Sequence, residues 1–361
     1  MTNQDPSTPV AHCVRKFKKQ IGAFKSQFPR NKQAERSVLI AFSGGISSTA
    51  LLDLAVSGLA PREGQHEPVI WKLIVAFITE DGNDLDLCWI NERYPNVLVR
   101  KISIDSIFDY SSSTYSLTYS NNAIHYCSLL RSSFRSVSSL LLSIPSESAR
   151  IDIHRYIRQN LLLAIAKQEE CCGIFWGDSR TRLASKVLEN TANGRGYSLP
   201  WEVGICVEMQ KALYFVRPMR DIVLEEMREY LTECNLPFSV NREPCGRPTI
   251  SRLASDYFAK LEGEYPSLVG AVVRTAGKLA FPPETKIYRC GICGMPKEDD
   301  AGEWLAAITV NEPAPEEASL KYVERVNTGH EDTFTTCYGC LVALRDCKDL
   351  LWPVIENIWV Y

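Results

Sequence analysis

The chain has 361 residues, of which 45% are hydrophobic and 23% charged, with a net charge of −3. That balance describes a soluble globular protein with room for two or three structural units, and it excludes a disordered or collagen-like chain. No apolar run reaches the length that spans a bilayer, which excludes a transmembrane helix.

The small net charge conceals an asymmetry: residues 1–36 hold eight Lys or Arg against Asp5 and Glu35, a local +6 that leaves −9 for the rest. A basic arm on an acidic body suits contact with nucleic acid. The N-terminus lacks a secretory apolar core, so the thirteen cysteines read as thiols and metal ligands in a reducing compartment rather than as a disulfide framework.

Residues 1–9 read as a tail. Val14, Phe17, Ile21, Phe24 and Phe28 then follow at alternating spacings of three and four, which predicts an amphipathic helix with the basic residues largely between its apolar positions. Such a helix either docks by its apolar face and leaves its cations in solvent, or lays those cations on an RNA backbone.

The apolar run Val38–Phe42 breaks into Ser43-Gly44-Gly45-Ile46-Ser47-Ser48-Thr49, and helical spacing follows at once. A strand, a phosphate-sized loop and a helix N-terminus are predicted: the glycines allow close backbone approach, and the hydroxyls of Ser43, Ser47, Ser48 and Thr49 donate beside the first helical amides. The bland alternative is a tight connection with Ser47 or Ser48 as an N-cap. The loop resembles the PP-loop of the ATP pyrophosphatase superfamily, S-G-G-x-D-S, with Ser47 at the acidic position. A neutral hydroxyl is a poor Mg²⁺ ligand, which argues against ATP hydrolysis.

Further along, Trp71–Thr79 reads as a second buried strand, 85–93 as a helix and Val97–Ile104 as a third strand, the alternation of a doubly wound parallel α/β sheet; the loop's resemblance implies that this sheet is of the Rossmann-like, PP-loop type. Ligands of such sheets sit at the carboxyl ends of the strands. The serine-rich stretch Tyr110–Ser120 reads as a loop, with helix resuming near Leu129. Ile153–Lys167 reads as a strong helix, and Cys172–Asp178 as a buried strand whose terminal Asp178 points at the crevice.

Three cationic blocks follow: Gly177-Asp178-Ser179-Arg180-Thr181-Arg182-Leu183-Ala184-Ser185-Lys186, Gly194-Arg195-Gly196 and Val216-Arg217-Pro218-Met219-Arg220-Asp221. Arg182 and Lys186 share a helix face. With Arg195, Arg217 and Arg220 they are candidates for RNA or nucleotide phosphate; loop-anchoring ion pairs, such as one with Asp221, are the competing role for any single arginine. Cys290-Gly-Ile-Cys293 and Cys337-Tyr-Gly-Cys340 form two C-x-x-C knuckles suited to one tetrahedral zinc with a structural role, because four thiolates leave no open position. The acidic stretch Glu298–Glu303 and the segment Asn311–Glu317 between them read as an exposed insertion.

The order of these blocks is similar to the cytoplasmic tRNA 2-thiolation protein subunit 2 family. Ile250-Ser251-Arg252-Leu253, Tyr265-Pro266-Ser267-Leu268-Val269 and Arg274-Thr275-Ala276-Gly277-Lys278-Leu279 add to the resemblance, which runs from about residue 14 to 347. It implies a cytoplasmic protein that forms a heterodimer with a catalytic PP-loop thiolase subunit, binds tRNA and supports 2-thiolation of wobble uridine. The family usually carries an N-terminal pair of C-x-x-C knuckles; Cys13 alone stands there in this chain.

Adenylation of uridine requires an acidic PP-loop with ATP and Mg²⁺, and sulfur delivery requires reactive cysteines near it. The catalytic subunit carries cysteines just before the helix that here includes Arg158 and Gln159, whereas none occurs between Ser128 and Glu170. Cys127 and Cys245 lie outside the paired knuckles and could in principle approach the crevice, and no residue is assigned a catalytic role. Two other readings stay open: a self-sufficient ATP-dependent tRNA sulfurtransferase, and a zinc-ribbon scaffold that binds no nucleotide. The boundaries expected are 1–36 for the tail and basic helix, 37–235 for the α/β domain, 236–283 for a helical connection and 284–361 for the cysteine-paired module.

Overall fold

A computed structural model describes residues 8–28, 35–59, 70–80, 85–111, 113–120, 123–129, 136–239, 249–279, 288–297, 301–302, 305, 335–345 and 347–355. Cys245 and Asn311–Glu317 lie outside the described residues, as does most of Glu298–Glu303.

The chain opens with α1 (Pro9–Lys25), started by Thr8, whose hydroxyl caps the Ala11 amide, and by Pro9 at the first helical position. A βαβ run follows, of β1 (Glu35–Phe42), α2 (Ile46–Leu59), β2 (Ile70–Thr79), α3 (Cys88–Arg93) and β3 (Leu98–Ser103). After a short α4 (Ile107–Tyr110) come the hairpin β4 (Ser113–Ser120) and β5 (Ala123–Leu129), then α5 (Val137–Leu142) and the long α6 (Glu147–Gln168). The second half of the sheet adds β6 (Cys171–Phe175), α7 (Arg180–Ala192), α8 (Leu199–Val203), the hairpin β7 (Cys206–Gln210) and β8 (Leu213–Val216), and α9 (Leu224–Glu233). The chain continues through α10 (Ile250–Glu264), α11 (Pro266–Ala276), α12 (Tyr338–Ala343) and β9 (Leu350–Val354).

Six strands in the order β3-β2-β1-β6-β8-β7 form the central sheet, parallel except where β7 runs against β8. The strand order reverses between β1 and β6, and the crevice beyond their carboxyl ends is where a doubly wound sheet takes its ligand. Alternation along each strand divides the core. Val38, Ile40, Leu73, Val75 and Phe77 pack with α1, α2 and α9, whereas Leu39, Ile74, Ala76 and Ile78 pack with α6 and the cysteine knuckles.

The basic helix α1 is a docking helix. Val10, Cys13, Phe17, Ile21 and Phe24 are buried, and Phe24 sits among Phe28, Trp71, Phe175 and Tyr214. Of its cations, Lys16 pairs with Glu226 at 2.5 Å and Lys25 donates to the Gly58 carbonyl at 2.9 Å.

One stretch departs from the sequence expectation. Tyr110–Ser120 is not a loop, and the chain near Leu129 is strand rather than helix: β4 and β5 pair antiparallel, and β9 completes a three-stranded sheet on the other side of β4. Tyr115 lies opposite Trp352 and stacks on Tyr126 with centroids 5.1 Å apart. The serine content suggested a turn, but Thr and Tyr at strand positions favour an extended chain once a distant partner covers them.

Candidate functional site

The loop after β1 is a phosphate-sized turn at a helix N-terminus. Gly44 takes φ +75°, a left-handed conformation that suits glycine, and its carbonyl accepts from the Ser239 amide at 2.9 Å. The first intrahelical bond runs from the Thr49 amide to the Gly45 carbonyl at 3.0 Å, so the amides of α2 that precede it have no intrahelical acceptor. The hydroxyls are largely turned inward. Ser48 Oγ donates to the Gly45 carbonyl at 3.0 Å and lies 3.2 Å from Ser43 Oγ, and Thr49 is buried.

This loop borders a crevice of 1140 Å³ that is also lined by Asp178, Arg182, Lys186 and Arg217, and by His154, Arg155 and Arg158 from α6. Asp178 is buried at the floor. Lys186 Nζ lies 2.7 Å and Arg217 Nε 3.5 Å from its Oδ2. Burial alone would push this carboxyl up, but the two cations outweigh it and hold Asp178 below the ordinary aspartate value. Each cation loses hydration in return, which holds Lys186 and Arg217 below their ordinary values despite the carboxylate beside them. The crevice floor is therefore a closed charge set, with its aspartate engaged by protein cations.

The five cations singled out by sequence fall into distinct environments. Arg182 is exposed on the first turn of α7 at the crevice. Lys186 and Arg217 hold Asp178, and Arg217 also donates to the Gly204 carbonyl at 2.8 Å. Arg220 is buried and donates to the Val273 carbonyl at 2.6 Å, tying the strand-end loop to α11. Arg195 is buried far from solvent, with Nη2 2.8 Å from Asp152 Oδ2.

Sequence reasoning passed over His154, Arg155 and Arg158. His154 and Arg158 are four apart and both meet Glu80 at the end of β2, at 3.1 and 3.0 Å, while Arg155 bridges Asp152 at 2.9 Å and Glu189 at 2.6 Å. The signal was present as a cationic i, i+4 pair, His154 and Arg158, in the polar first half of α6.

No cysteine lines the crevice among the described residues. Cys127 is exposed on β5. Burial pushes the thiols of Cys13 and Cys171 up to about 12 and that of Cys172 up to about 11, which keeps them protonated and poor as nucleophiles.

The four knuckle cysteines converge. Cys290, Cys293, Cys337 and Cys340 are buried with their sulfurs all within 4.8 Å of one another, and Cys293 and Cys337 are 3.8 Å apart. A tetrahedral ion with metal–sulfur bonds of about 2.3 Å separates its sulfurs by roughly 3.8 Å, so the donor set fits such a metal. The first knuckle is seated on α6 and β9: Gln159 and Asn160 donate to the Cys293 and Ile292 carbonyls, each at 3.1 Å, and Trp352 Nε1 donates to the Gly291 carbonyl at 3.1 Å.

The parallel sheet, the glycine turn after β1 and the crevice at the topological switch define a protein of the PP-loop class. The fold is similar to the solved U34-tRNA thiolase NcsA from Methanococcus maripaludis, determined with its 4Fe–4S cluster, with a TM-score of 0.51 and 15% identity over 85% of this chain and 90% of that one. Residues 249–342 match the family model described as cytoplasmic tRNA 2-thiolation protein 2. Proteins of that name are 32% identical in Phaeosphaeria nodorum over 81% of each chain, and 31% identical in Ajellomyces capsulatus over 90% of each. The relative in Schizosaccharomyces pombe is 28% identical over 95% of this chain and 90% of its own. The chain belongs to the cytoplasmic tRNA 2-thiolation protein 2 family.

Proposed function

We propose that this chain is the non-catalytic subunit of a heterodimer with an active PP-loop thiolase, and that it contributes complex assembly and part of the tRNA surface to 2-thiolation of wobble uridine U34. The observation that carries this reading is the crevice floor. Ser47 stands where the PP-loop pattern has an acid, Asp178 after β6 is engaged by Lys186 and Arg217, and no described cysteine lines the crevice. Such a site offers an anion backbone amides and cations, but supplies neither the carboxylate of the PP-loop pattern for Mg²⁺ nor a described thiolate for sulfur transfer. Arg182 is the cation best placed for an RNA phosphate, because it alone of the five candidates is exposed.

The ion held by the four cysteines is zinc in a structural role: four thiolates complete its shell and leave no position for substrate. The subunit acts in the cytoplasm, the compartment named for its relatives, and among the described residues no helix is long and apolar enough to cross a membrane.

Intact-mass measurement of the complex purified from cells through this chain tests the assembly. A second PP-loop protein bound in stable proportion is expected; a lone monomer would overturn the proposal.

A further inference from the structure

Arg195 belongs to none of the chemistry described for the crevice, yet it is one of the most enclosed cations in the molecule, with a side chain 3% exposed. A buried guanidinium persists only where charge and hydrogen bonds compensate its lost hydration. Asp152 takes one nitrogen, Nη2, which also donates to the Gly339 carbonyl at 3.3 Å. Nε and Nη1 have no acceptor among the described residues. Buried N–H-bearing nitrogens left unpaired forfeit their hydration with nothing in return.

These nitrogens lie against the second cysteine knuckle. Gly339 stands between Cys337 and Cys340, and a Cβ there would come within 2.4 Å of Arg195 Cγ and 2.5 Å of its Nε. The approach is built from both sides. Gly194 takes φ +68°, and a Cβ on it would come within 2.4 Å of the Tyr338 ring. Gly194-Arg195 is thus fitted to Tyr338-Gly339, a glycine facing the larger residue in each case. The neighbouring Tyr156 hydroxyl is likewise buried without a partner among the described residues, and its ring lies 5.4 Å from the guanidinium.

Four thiolates closing on a divalent cation carry a net charge of −2, and metal-bound sulfur accepts N–H hydrogen bonds. We infer that Arg195 is the charge partner of the metal–tetrathiolate centre, held against the second knuckle by Asp152 and the Gly339 carbonyl. It is a positioning residue: it touches no reacting group, and its effect is on how tightly the knuckles hold their ion. This inference rests on the reading that the four cysteines bind a metal.

The test is chelator competition for zinc with the full chain, supported by the thiolate-to-cobalt charge-transfer band after cobalt substitution. Replacing Arg195 by Met should loosen the ion by about 10–100-fold, the usual effect of removing a partner of a ligand group. Because R195M also removes one of the two arginines that hold Asp152, leaving Arg155, the double variant D152N/R195M decides between roles, and it carries the test if R195M does not fold. The inference predicts that the double variant stays loosened and that its cobalt band shifts. Wild-type affinity in the double variant would show that Arg195 serves only Asp152 and would overturn the inference. A wild-type chain that binds neither zinc nor cobalt would instead defeat the metal reading on which it rests.

Discussion

At the residue scale, the crevice works through who holds Asp178. With Lys186 at 2.7 Å and Arg217 at 3.5 Å, its carboxylate is ionised in the fold at a pH where a free aspartate, at about 3.9, begins to protonate. A depressed folded-state value contributes stability that is complete above the unfolded value and is lost as pH falls through the folded one. The urea midpoint of the wild type should therefore drop between about pH 5 and pH 3 more steeply than that of D178N; parallel profiles would show that the two cations do not stabilise the charge. Arg182 makes the complementary case. R182A should weaken tRNA binding similarly for all sequences and lower the slope of log K against log salt by about 1, measured by titration at several salt concentrations. An unchanged slope would remove it from the RNA surface. The loop, Asp178 and the knuckles were legible from residue order because each lies in a short local pattern. The fates of Arg195, Arg217 and Arg220 were not, because a sequence shows a cation but not the carboxylate or carbonyl that the fold brings to it.

At the scale of elements, α6 joins the two features of the molecule. His154, Arg155 and Arg158 line the crevice, and Gln159 and Asn160 hold the first knuckle. The hairpin of β4 and β5 extends the attachment, since β9, which closes the cysteine-bearing segment, pairs along β4. Trp352 is buried on β9 and donates to Gly291 within the knuckle. W352A should cost about 3–5 kcal/mol by the cavity it leaves, read as a fall in the denaturant midpoint without loss of bound metal in the folded protein. A change under about 1 kcal/mol would contradict the packing described. The parallel strands were readable because continuous apolar runs mark strands buried on both faces. β4 was hidden because its strand character depends on a partner more than two hundred residues away, and serine-rich composition outweighed its alternating Thr and Tyr.

At the scale of the whole molecule, the cysteine centre is part of a major core. Cys290, Cys293, Cys337 and Cys340 share one apolar cluster with Leu39, Ile74, Leu163 and Phe215 of the α/β body. An ion bound there only in the folded state stabilises the entire unit, by about 2.7 kcal/mol at a free concentration one hundred times its dissociation constant. The unfolding temperature should rise with free zinc and fall when a chelator removes it; a temperature independent of zinc would separate the centre from the fold. On the second face of the sheet, α1 buries Phe17 and Phe24 against the body, so the described part of the basic arm is a docked helix. Under the proposed function, this chain keeps a PP-loop architecture and leaves the chemistry to its partner. The most direct test supplies the purified chain with ATP, Mg²⁺, tRNA and a sulfur donor, alone and with a catalytic PP-loop thiolase, and measures pyrophosphate and 2-thiouridine. Neither product from the chain alone and both from the mixture are predicted; pyrophosphate and thiouridine from the chain alone would contradict the account.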